Sequence, residues 1–411
     1  MNPNGKAYKW EVLALLWMAF LLNQADRQVF NTVLPAIRDS LNLTDTSVGL
    51  IATVFNLFYA ILVPLGGWAG DRFSRKWVVT AAILFWSFAT MFTGLANGVL
   101  MLVLMRSVAT GGGEAFFGPA NYSLLGQYHT NTRARAMSIH QTAYYVGVIL
   151  AGWLAGRIAD SLGWQYAFIL FGGAGIVWGL VMAVRLQDLP KPAASQAVDK
   201  PGILDGFKTV FTTPTALMLT LGFSAFIFVI TGYMTWVPAF LQEEFGQNQE
   251  TAGLHSMLWT YAAAFLGVLL AGSLSDRMGA KDHKKRMYIQ GAGLLLGSVF
   301  LFLMGGRGTL WVLYACFAGW GFFRAFFDAN IYTVLYDVTP AHLHASCSSA
   351  MITTGFAVGA LAPVILGAMK ESMGSLSATF PLLGAIWAVF GVLLFLVARL
   401  FYQKDYNKIH R

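Results

Sequence analysis

Twelve long apolar stretches divide this 411-residue chain, and they constrain its fold more than any other feature. They fall at residues 10–36, 45–69, 76–95, 99–124, 133–159, 163–185, 211–242, 250–275, 285–304, 308–335, 344–370 and 376–402. Each stretch is long enough to cross a hydrocarbon core of roughly 30 Å, which needs about 20 helical residues. Helices satisfy their own backbone hydrogen bonds in lipid. The pattern therefore predicts an all-α membrane protein with twelve transmembrane helices.

The composition agrees with a protein that lies in a lipid bilayer. Hydrophobic residues make up 57% of the chain and charged residues only 11%, whereas a soluble domain carries about 25% charged residues. The net charge of +8 follows from the loops of a membrane protein. It therefore requires no nucleic-acid partner.

The basic residues are distributed unevenly between the two sides of the predicted membrane. Of the 27 lysines and arginines, 20 lie in the tails or in loops on the side of the termini, and four lie on the other side: Arg38, Arg157, Arg307 and Lys370. The positive-inside rule then places both termini in the cytoplasm. The first apolar stretch contains Asp26-Arg27 and lacks a small-residue cleavage site, so it is predicted to be a helix and not a removable signal peptide.

A short pattern occurs twice, each time after a long apolar stretch. Gly67-Trp-Ala-Gly-Asp71-Arg72 and Gly272-Ser-Leu-Ser-Asp276-Arg277 place their aspartates 205 positions apart, half of the chain. Such duplication predicts two pseudo-symmetric six-helix bundles with a site between the halves. We expect an N-terminal bundle over 1–186, a polar and proline-rich cytoplasmic linker over 187–210, and a C-terminal bundle over 211–411. Within the linker, Ile203 to Val210 is predicted to form a short interfacial helix.

Six ionisable residues fall at membrane depth. They are Asp26 and Arg27 in the first apolar stretch, Arg106 and Glu114 in the fourth, and Arg324 and Asp328 in the tenth. A charge at a helix centre costs about 2.5–3.5 kcal/mol even on lenient insertion scales. These residues must therefore face a polar cavity or one another.

The spacing of these residues gives part of their geometry. Arg324 and Asp328 lie one helical turn apart and can pair directly. Arg106 and Glu114 are eight positions apart, so they can line one cavity without touching. Asp26 and Arg27 diverge by roughly 100° around their helix. One of the two can therefore face the cavity while the other faces a neighbouring helix.

The functional interpretation assigns the arginines to an anionic substrate and the acids to protons. A guanidinium in a partly dry cavity binds a carboxylate through a planar fork and stays charged. A carboxyl group in the same cavity can gain or lose a proton as substrate binds, which couples the two. The alternative is that each pair only ties helices together, and it weighs most for Arg324 and Asp328.

Polar and aromatic residues at cavity positions complete the predicted substrate site. They suit a hydroxylated ligand, although any one of them can instead serve helix packing. These candidates are Asn23, Tyr59, Asn121, Tyr122, His140, Gln141, Tyr144, Tyr233, Trp236 and Asn330. The histidines are isolated from one another, so no metal site is predicted.

The duplicated loops resemble the signature loops of the major facilitator superfamily, and the resemblance covers the whole chain. It implies that Asp71 meets the start of the eleventh helix and latches the cytoplasmic side in the outward-open state. The loop residues expected to form this latch are Gly67, Asp71, Arg72, Arg75, Asp276 and Arg277.

Two further motifs, Asn23-Gln-Ala-Asp26-Arg27 and Gly113-Glu114-Ala-Phe-Phe-Gly118, are similar to those of the anion:cation symporters, which carry sugar acids, hexuronates and sialic acids. The resemblance implies that Arg27 and Arg106 engage the substrate carboxylate. Arg324 and Asp328 are further candidates for the substrate site. It also implies that Asp26 and Glu114 take part in proton coupling. The interval from Arg106 to Glu114 is eight residues, one more than in those relatives. Arg106 therefore reaches the expected face only if the glycines that follow allow a local bulge.

The leading prediction is a proton-coupled importer of a small organic anion, a sugar acid or acidic sugar, in the cell inner membrane. It implies protons and substrate as partners, no cofactor beyond the proton gradient, and a monomer. The chain also resembles spinster-like transporters through Asp26-Arg27, residues 70–76 and Gly113-Glu114-Ala115, which keeps a lysolipid or sphingolipid substrate open. A polytopic membrane enzyme is the third class, but the isolated histidines give it no catalytic cluster.

Overall fold

The computed structural model describes residues 7–129, 133–188, 203–306, 308–340 and 343–410. Within these ranges the backbone is helical with short connections, and the structure describes no β-strand there. The predicted all-α fold class is therefore confirmed. By their contacts the residues group into two compact units, one of Met1–Ser195 with Met234–Met257 and one of Gln196–Tyr233 with Leu258–Arg411.

The first unit is built from the N-terminal helices together with one later segment. Its helices are α1 (Tyr8–Ser40), α2 (Asp45–Arg72), α3 (Arg75–Thr93), α4 (Val99–Leu102), α5 (Gly111–Tyr128), α6 (Arg133–Leu162) and α7 (Trp164–Arg185). A π-helical segment, Val103–Thr110, joins α4 to α5 without a break. Within this unit α1 packs on α6, α3 packs on α7, and α2 packs on α5.

The remaining helices begin with a short one, α8 (Ile203–Thr212). The others are α9 (Pro214–Phe245), α10 (Gln249–Gly279), α11 (Lys285–Met304), α12 (Leu310–Asp328), α13 (Ile331–Asp337), α14 (His344–Gly359), α15 (Ala362–Met373), α16 (Phe380–Val397) and α17 (Gln403–Ile409). A second π-helical segment, Ala398–Tyr402, joins α16 to α17. In the second unit α11 packs on α12 and α16, and α8 packs on α14.

Eleven helices or continuous helical runs in the described ranges are long and apolar enough to cross a membrane. The helix α1 is not among them, although its 33 residues give ample length. Its middle carries Asn23, Gln24, Asp26, Arg27 and Gln28, which lower its hydropathy. Three of these residues, Asn23, Asp26 and Arg27, are also predicted functional residues.

Local sequence explains where several of these helices begin. The hydroxyl of Thr44 accepts a hydrogen bond from the Ser47 backbone N–H and caps α2, and Ser74 caps α3 through the Trp77 N–H. Such caps satisfy donors that the first helical turn leaves unpaired. The core of the first unit is apolar and includes Val12, Leu16, Ile83 and Trp86. It holds the middle of α1 in place beside α5.

The contact-based units differ from the predicted division at residue 186. The segment Met234–Met257, which joins the end of α9 to the start of α10, belongs by its contacts to the first unit. A division by residue number and a division by contacts need not coincide, because the end of a helix can pack among helices that are distant in sequence. The bundles over 1–186 and 211–411 therefore remain a prediction.

Candidate functional site

A π-helical segment carries Arg106 into the interior of the first unit. The segment spans Val103–Thr110, and the side chain of Arg106 is almost completely buried. A π turn accommodates one more residue than an α turn, so it absorbs a single-residue excess without breaking the helix. The eight-residue interval between Arg106 and Glu114 is accommodated in this way. The expected local bulge is therefore present, and it precedes the glycines.

Contacts with α2 hold this π segment in position. The hydroxyl of Ser107 donates a 2.6 Å hydrogen bond to the carbonyl oxygen of Ile51. At Gly111 a Cβ atom would lie 3.0 Å from the carbonyl oxygen of Phe55 and 3.1 Å from its ring. Glycine at this position thus permits α5 to approach α2 closely. The approach brings Phe55 beside both Arg27 and Arg106.

The four charged residues predicted at membrane depth in the first unit form two crossed ion pairs. The pairs join α1 to the fourth helical run, Val99–Tyr128, which comprises α4, the π segment and α5. Arg27 Nε donates to Glu114 Oε2 at 2.6 Å, and Arg106 Nη1 donates to Asp26 Oδ2 at 3.2 Å. Arg106 Nη2 also lies 3.4 Å from the carbonyl oxygen of Arg27. Two acids and two bases cancel in charge. Asp26 and Arg27 therefore both pair with residues of the same helical run.

Aromatic rings from α1 and α2 enclose the two guanidinium groups. The Arg27 Cζ atom lies 4.2 Å from the centre of the Tyr59 ring and 5.4 Å from that of Phe55. The Arg106 Cζ atom lies 4.4 Å from the centre of the Phe55 ring and 5.5 Å from that of Phe30. Such stacking favours a planar cation. It fixes the direction in which each guanidinium can donate.

The two ion pairs differ in accessibility. The side chain of Arg27 is 21% exposed, whereas its partner Glu114 and both members of the Asp26–Arg106 pair are buried. Each acid uses one oxygen in its pair, and among the described residues nothing hydrogen-bonds to Glu114 Oε1 or Asp26 Oδ1. A carboxylate held by one oxygen can be replaced by another anion at the same guanidinium. Arg27 is therefore the member of the network that an incoming anion can reach.

The other predicted site residues of the first unit form two groups that differ in exposure. Asn121 and His140 are buried and lie 3.0 Å apart between Asn121 Nδ2 and His140 Nε2, with His140 stacked on Phe20. Asn23 accepts a hydrogen bond from the side chain of Gln24. More exposed are Tyr122, Gln141 and Tyr144, which lie along the same stretch of α5 and α6. Trp236, in the segment grouped with this unit, is almost completely buried.

In the second unit the predicted pair of Arg324 and Asp328 is not formed. Asp328 is exposed at the end of α12, and none of the described residues makes a hydrogen bond or ion pair with it. Arg324 is buried, and its Cζ atom lies 5.0 Å from the centre of the Tyr261 ring. The Arg324 guanidinium thus lies against aromatic rings inside the unit, whereas Asp328 is exposed. The i,i+4 spacing made the pair possible but did not impose it.

Two other predicted substrate residues of the second unit are occupied by helix packing. Asn330 accepts a hydrogen bond from the Ser275 hydroxyl and donates to the carbonyl oxygen of Phe326 at 3.1 Å. The hydroxyl of Tyr233 hydrogen-bonds to that of Thr260 at 2.6 Å, and its ring packs on Trp320. Both residues are buried. Asn330 and Tyr233 therefore hold neighbouring helices together in this structure, and their role in substrate binding stays a prediction.

The structure describes the side chains of only part of the predicted latch. The structure does not describe the side chains of Asp71, Arg72 and Asp276, nor the surroundings of Gly67. Arg75 is the first residue of α3, and Arg277 is exposed near the end of α10. The latch therefore stays a prediction.

The sequence analysis missed the contacts that the segment Met234–Met257 makes within the first unit. Arg38 Nη1 lies 2.6 Å from Glu243 Oε1, and Trp153 Nε1 donates to Glu250 Oε1 at 2.7 Å. Asp160 accepts hydrogen bonds from the backbone N–H groups of Gln249 and Glu250 and so caps the start of α10. The acidic residues at 243 and 250, opposite Arg38 and Arg157, were the only sequence signal for these contacts.

Replacing Gly253 by alanine is expected to disrupt this packing. A Cβ atom there would lie 2.7 Å from the carbonyl carbon of Gly152 and 2.7 Å from Thr32 Cγ2, too close for real atoms. Overpacking of this kind costs about 1–3 kcal/mol. The melting temperature of Gly253→Ala in detergent should therefore fall by about 3–8 °C. Gly173→Ala in α7, where a Cβ meets nothing within 4 Å, is the control, and an equal loss in both variants would contradict the prediction.

Comparison with known proteins gives a consistent result. A family model described as the Major Facilitator Superfamily matches residues 16–363. A hexuronate transporter of Bacillus subtilis (strain 168) is 25% identical over 399 residues, which cover 94% of this chain and 93% of that protein. Protein spinster homolog 1 of Homo sapiens is 30% identical over 313 residues, which cover 71% of this chain and 59% of that protein. Both resemblances seen in the sequence are thus confirmed.

A solved structure supports the fold. It is that of a bacterial homolog to the human lysosomal transporter spinster in an inward-facing and unoccupied conformation. It matches with a TM-score of 0.81 at 22% identity and covers 98% of both chains. At this identity the likeness concerns the fold alone.

Proposed function

Because this chain belongs to the major facilitator superfamily and is a multi-pass membrane transporter rather than an enzyme, we propose that it imports a small organic anion together with protons. The proposed substrate is a sugar acid or an acidic sugar. Transport would follow rocker-switch alternating access across the inner membrane, with both termini in the cytoplasm. The observation that carries this proposal is the pair of Arg27 and Glu114, one partly exposed and the other fully buried.

In the proposed cycle, the substrate carboxylate and Glu114 compete for Arg27. When Glu114 is charged, it accepts a 2.6 Å hydrogen bond from Arg27 Nε and neutralises the guanidinium, which weakens its attraction for an incoming anion. Protonation of Glu114 removes that competition, and Arg27 then binds the substrate carboxylate. A proton and an anion thus enter the site together. Competition for Arg27 thus couples proton binding to anion binding, although the proton and the anion need not touch.

The second pair has a supporting part in this proposal. Arg106 and Asp26 are both buried, so they are shielded from an incoming anion more than Arg27 is. Arg106 also donates to the carbonyl oxygen of Arg27 and so positions that residue in α1. We assign Arg106 to holding the network in place and Asp26 to balancing its charge, and in this proposal Glu114 carries the proton that enters with the substrate. Direct contact between Arg106 and the substrate carboxylate is the other possibility for this residue.

The similarity to proteins named for their substrates supports an organic acid. The hexuronate transporter covers nearly the whole chain, and a D-galactonate transporter of Escherichia coli O6:H1 is 25% identical over 91% of it. The hydroxyl and amide groups of Asn121, Tyr122 and Gln141 offer hydrogen-bond partners for a polyhydroxylated molecule. A sugar acid combines such hydroxyls with the carboxylate that Arg27 requires.

A spinster-like lipid transporter is the second candidate function. One feature beyond the similarity favours it, an open apolar cavity of about 290 Å³ between α6 and the start of α10 within the first unit. It is lined by Tyr145, Val146, Ile149, Leu150, Trp153 and Leu254. A cavity whose exposed lining is apolar suits an acyl chain and does not suit a sugar acid. In this alternative Arg27 would bind a lipid phosphate.

A thermal-shift and uptake comparison separates these two functions. Purified protein would be titrated with glucuronate, galactonate and a lysophospholipid, and the best ligand would then be tested in proteoliposomes under a pH gradient. The proposal predicts stabilisation and uptake with a sugar acid. Val146→Trp, which narrows the apolar cavity, should leave that uptake unchanged. Stabilisation and transport restricted to the lysophospholipid, with loss in Val146→Trp, would favour the lipid transporter instead.

A further inference from the structure

The short helix α8 presents three different faces. Gly206 and Val210 lie on its buried face, whereas Leu204 and Phe211 lie on an exposed one. Lys208 shares the exposed apolar face, because residues 204, 208 and 211 recur at helical spacing. Asp205 and Thr212 belong to a third face that is polar and exposed. The short helix that the sequence predicts is therefore confirmed, and its exposed apolar side carries Leu204 and Phe211.

The buried face of α8 is fixed to the beginning of α14. A Cβ atom at Gly206 would lie 2.7 Å from Ser346 Cβ, so only glycine permits this approach. The Sγ atom of Cys347 lies 3.9 Å from the carbonyl oxygen of Gly206. The helix is therefore held in one orientation, with Leu204 and Phe211 turned away from α14.

The position of α8 along the chain places that exposed face at the membrane boundary. Only Thr213 separates α8 from Pro214, the first residue of a helix apolar enough to cross the membrane. Leu204 is 80% exposed and Phe211 is 47% exposed, and the Phe211 ring stacks on that of Phe207. Exposed apolar side chains on a helix that ends one residue before a candidate membrane span suit the headgroup level of a bilayer. The bilayer is the surface that can cover them.

We propose that α8 is a docking site for anionic phospholipids. In this arrangement Leu204 and Phe211 enter the acyl boundary, while Lys208 extends along them and places its ammonium group at a lipid phosphate. Interfacial helices bind in this way through apolar burial and attraction to anionic headgroups. Because α8 is fixed to α14, bound lipid would hold the start of α14 at the membrane surface. This site is independent of the proposed substrate.

Site-specific fluorescence in proteoliposomes tests the proposal. Leu204→Cys and the matched control Thr212→Cys would each carry an environment-sensitive dye, since the native Cys316 and Cys347 are buried. Lipids with a quencher near the headgroup should quench the dye at 204 strongly and the dye at 212 weakly. Replacing anionic lipid with a zwitterionic one should reduce the difference. Equal quenching at both positions would overturn the proposal.

Lipid retention measured by native mass spectrometry provides a second readout that needs no label. Wild-type protein purified from membranes with phosphatidylglycerol should retain more of this lipid than Lys208→Glu. The expected loss of affinity is about fivefold per basic residue removed at an anionic surface. Lys404→Glu, at an exposed position of α17, is the control. Equal retention by wild type and Lys208→Glu would overturn lipid docking. So would a change in the fluorescence of the dye at position 204 that depends on protein concentration in detergent, because it would indicate contact with a second copy of the protein.

Discussion

Glutamine in place of Glu114 is expected to abolish proton-driven accumulation of the substrate while exchange continues. Glutamine has nearly the same shape as glutamate but carries no charge, so it resembles the protonated state. Arg27, which is held at 2.6 Å by Glu114 in the native protein, would stay available to the substrate carboxylate throughout the cycle. Substrate could then bind and cross without a proton. Coupling would be lost and binding would be kept.

Proteoliposomes with an imposed pH gradient would measure this effect. Each coupled proton permits up to about a tenfold concentration ratio for every pH unit, because one pH unit corresponds to about 1.4 kcal/mol. Wild-type protein should approach that ratio with glucuronate, and Glu114→Gln should reach a ratio of about one. Counterflow, which needs no gradient, should continue in the variant. Glu371→Gln, at an exposed glutamate of α15, should behave as wild type, and full accumulation by Glu114→Gln would remove Glu114 from coupling.

Lysine in place of Arg27 is expected to weaken substrate binding severely although the charge is retained. The Arg27 guanidinium lies 4.2 Å from the Tyr59 ring centre and donates through Nε to Glu114. Lysine has a compact ammonium group without a planar fork, so it can neither stack in this way nor bind a carboxylate through two parallel hydrogen bonds. We expect the half-saturating glucuronate concentration to rise about 10- to 100-fold, or about 1.4–2.8 kcal/mol. The measurement is counterflow in proteoliposomes.

A control variant and two stability measurements complete the test of Arg27. Arg185→Lys changes a half-exposed arginine that pairs with Glu11, and it should leave transport unchanged. Arg27→Ala should lower the stability by about 3–5 kcal/mol, because it leaves the Glu114 charge buried without its partner. Adding Glu114→Gln to Arg27→Ala should restore part of that loss. Near-native glucuronate affinity in Arg27→Lys would exclude Arg27 from carboxylate binding.

The sequence was sufficient for the fold class and for the charged network, for physical reasons. Apolar length dictates helices in lipid, and the cost of burying Asp26, Arg27, Arg106 and Glu114 requires that they meet polar partners. Which acid pairs with which base was not predictable. The pairing depends on how α1 lies against the fourth helical run and on the extra residue that the π segment Val103–Thr110 absorbs.

Two other features depended on packing that spacing alone does not encode. Arg324 and Asp328 are one turn apart, yet aromatic side chains bury the first while the second lies exposed at the end of α12. Asn330 hydrogen-bonds to Ser275 and to the Phe326 carbonyl oxygen, contacts between helices that the sequence pattern does not reveal. A polar residue in a membrane helix is a candidate both for function and for helix packing, and sequence position alone does not distinguish the two.

Proton uptake during substrate binding tests the central claim most directly, because the claim is that an anion replaces Glu114 at Arg27. Purified protein in weakly buffered, mildly alkaline solution with a pH-indicator dye would be mixed with glucuronate. The account predicts uptake of about one proton per bound substrate in the wild type. It predicts no uptake in Glu114→Gln, which should still bind glucuronate. Binding without proton uptake in the wild type, or equal uptake in both proteins, would contradict it.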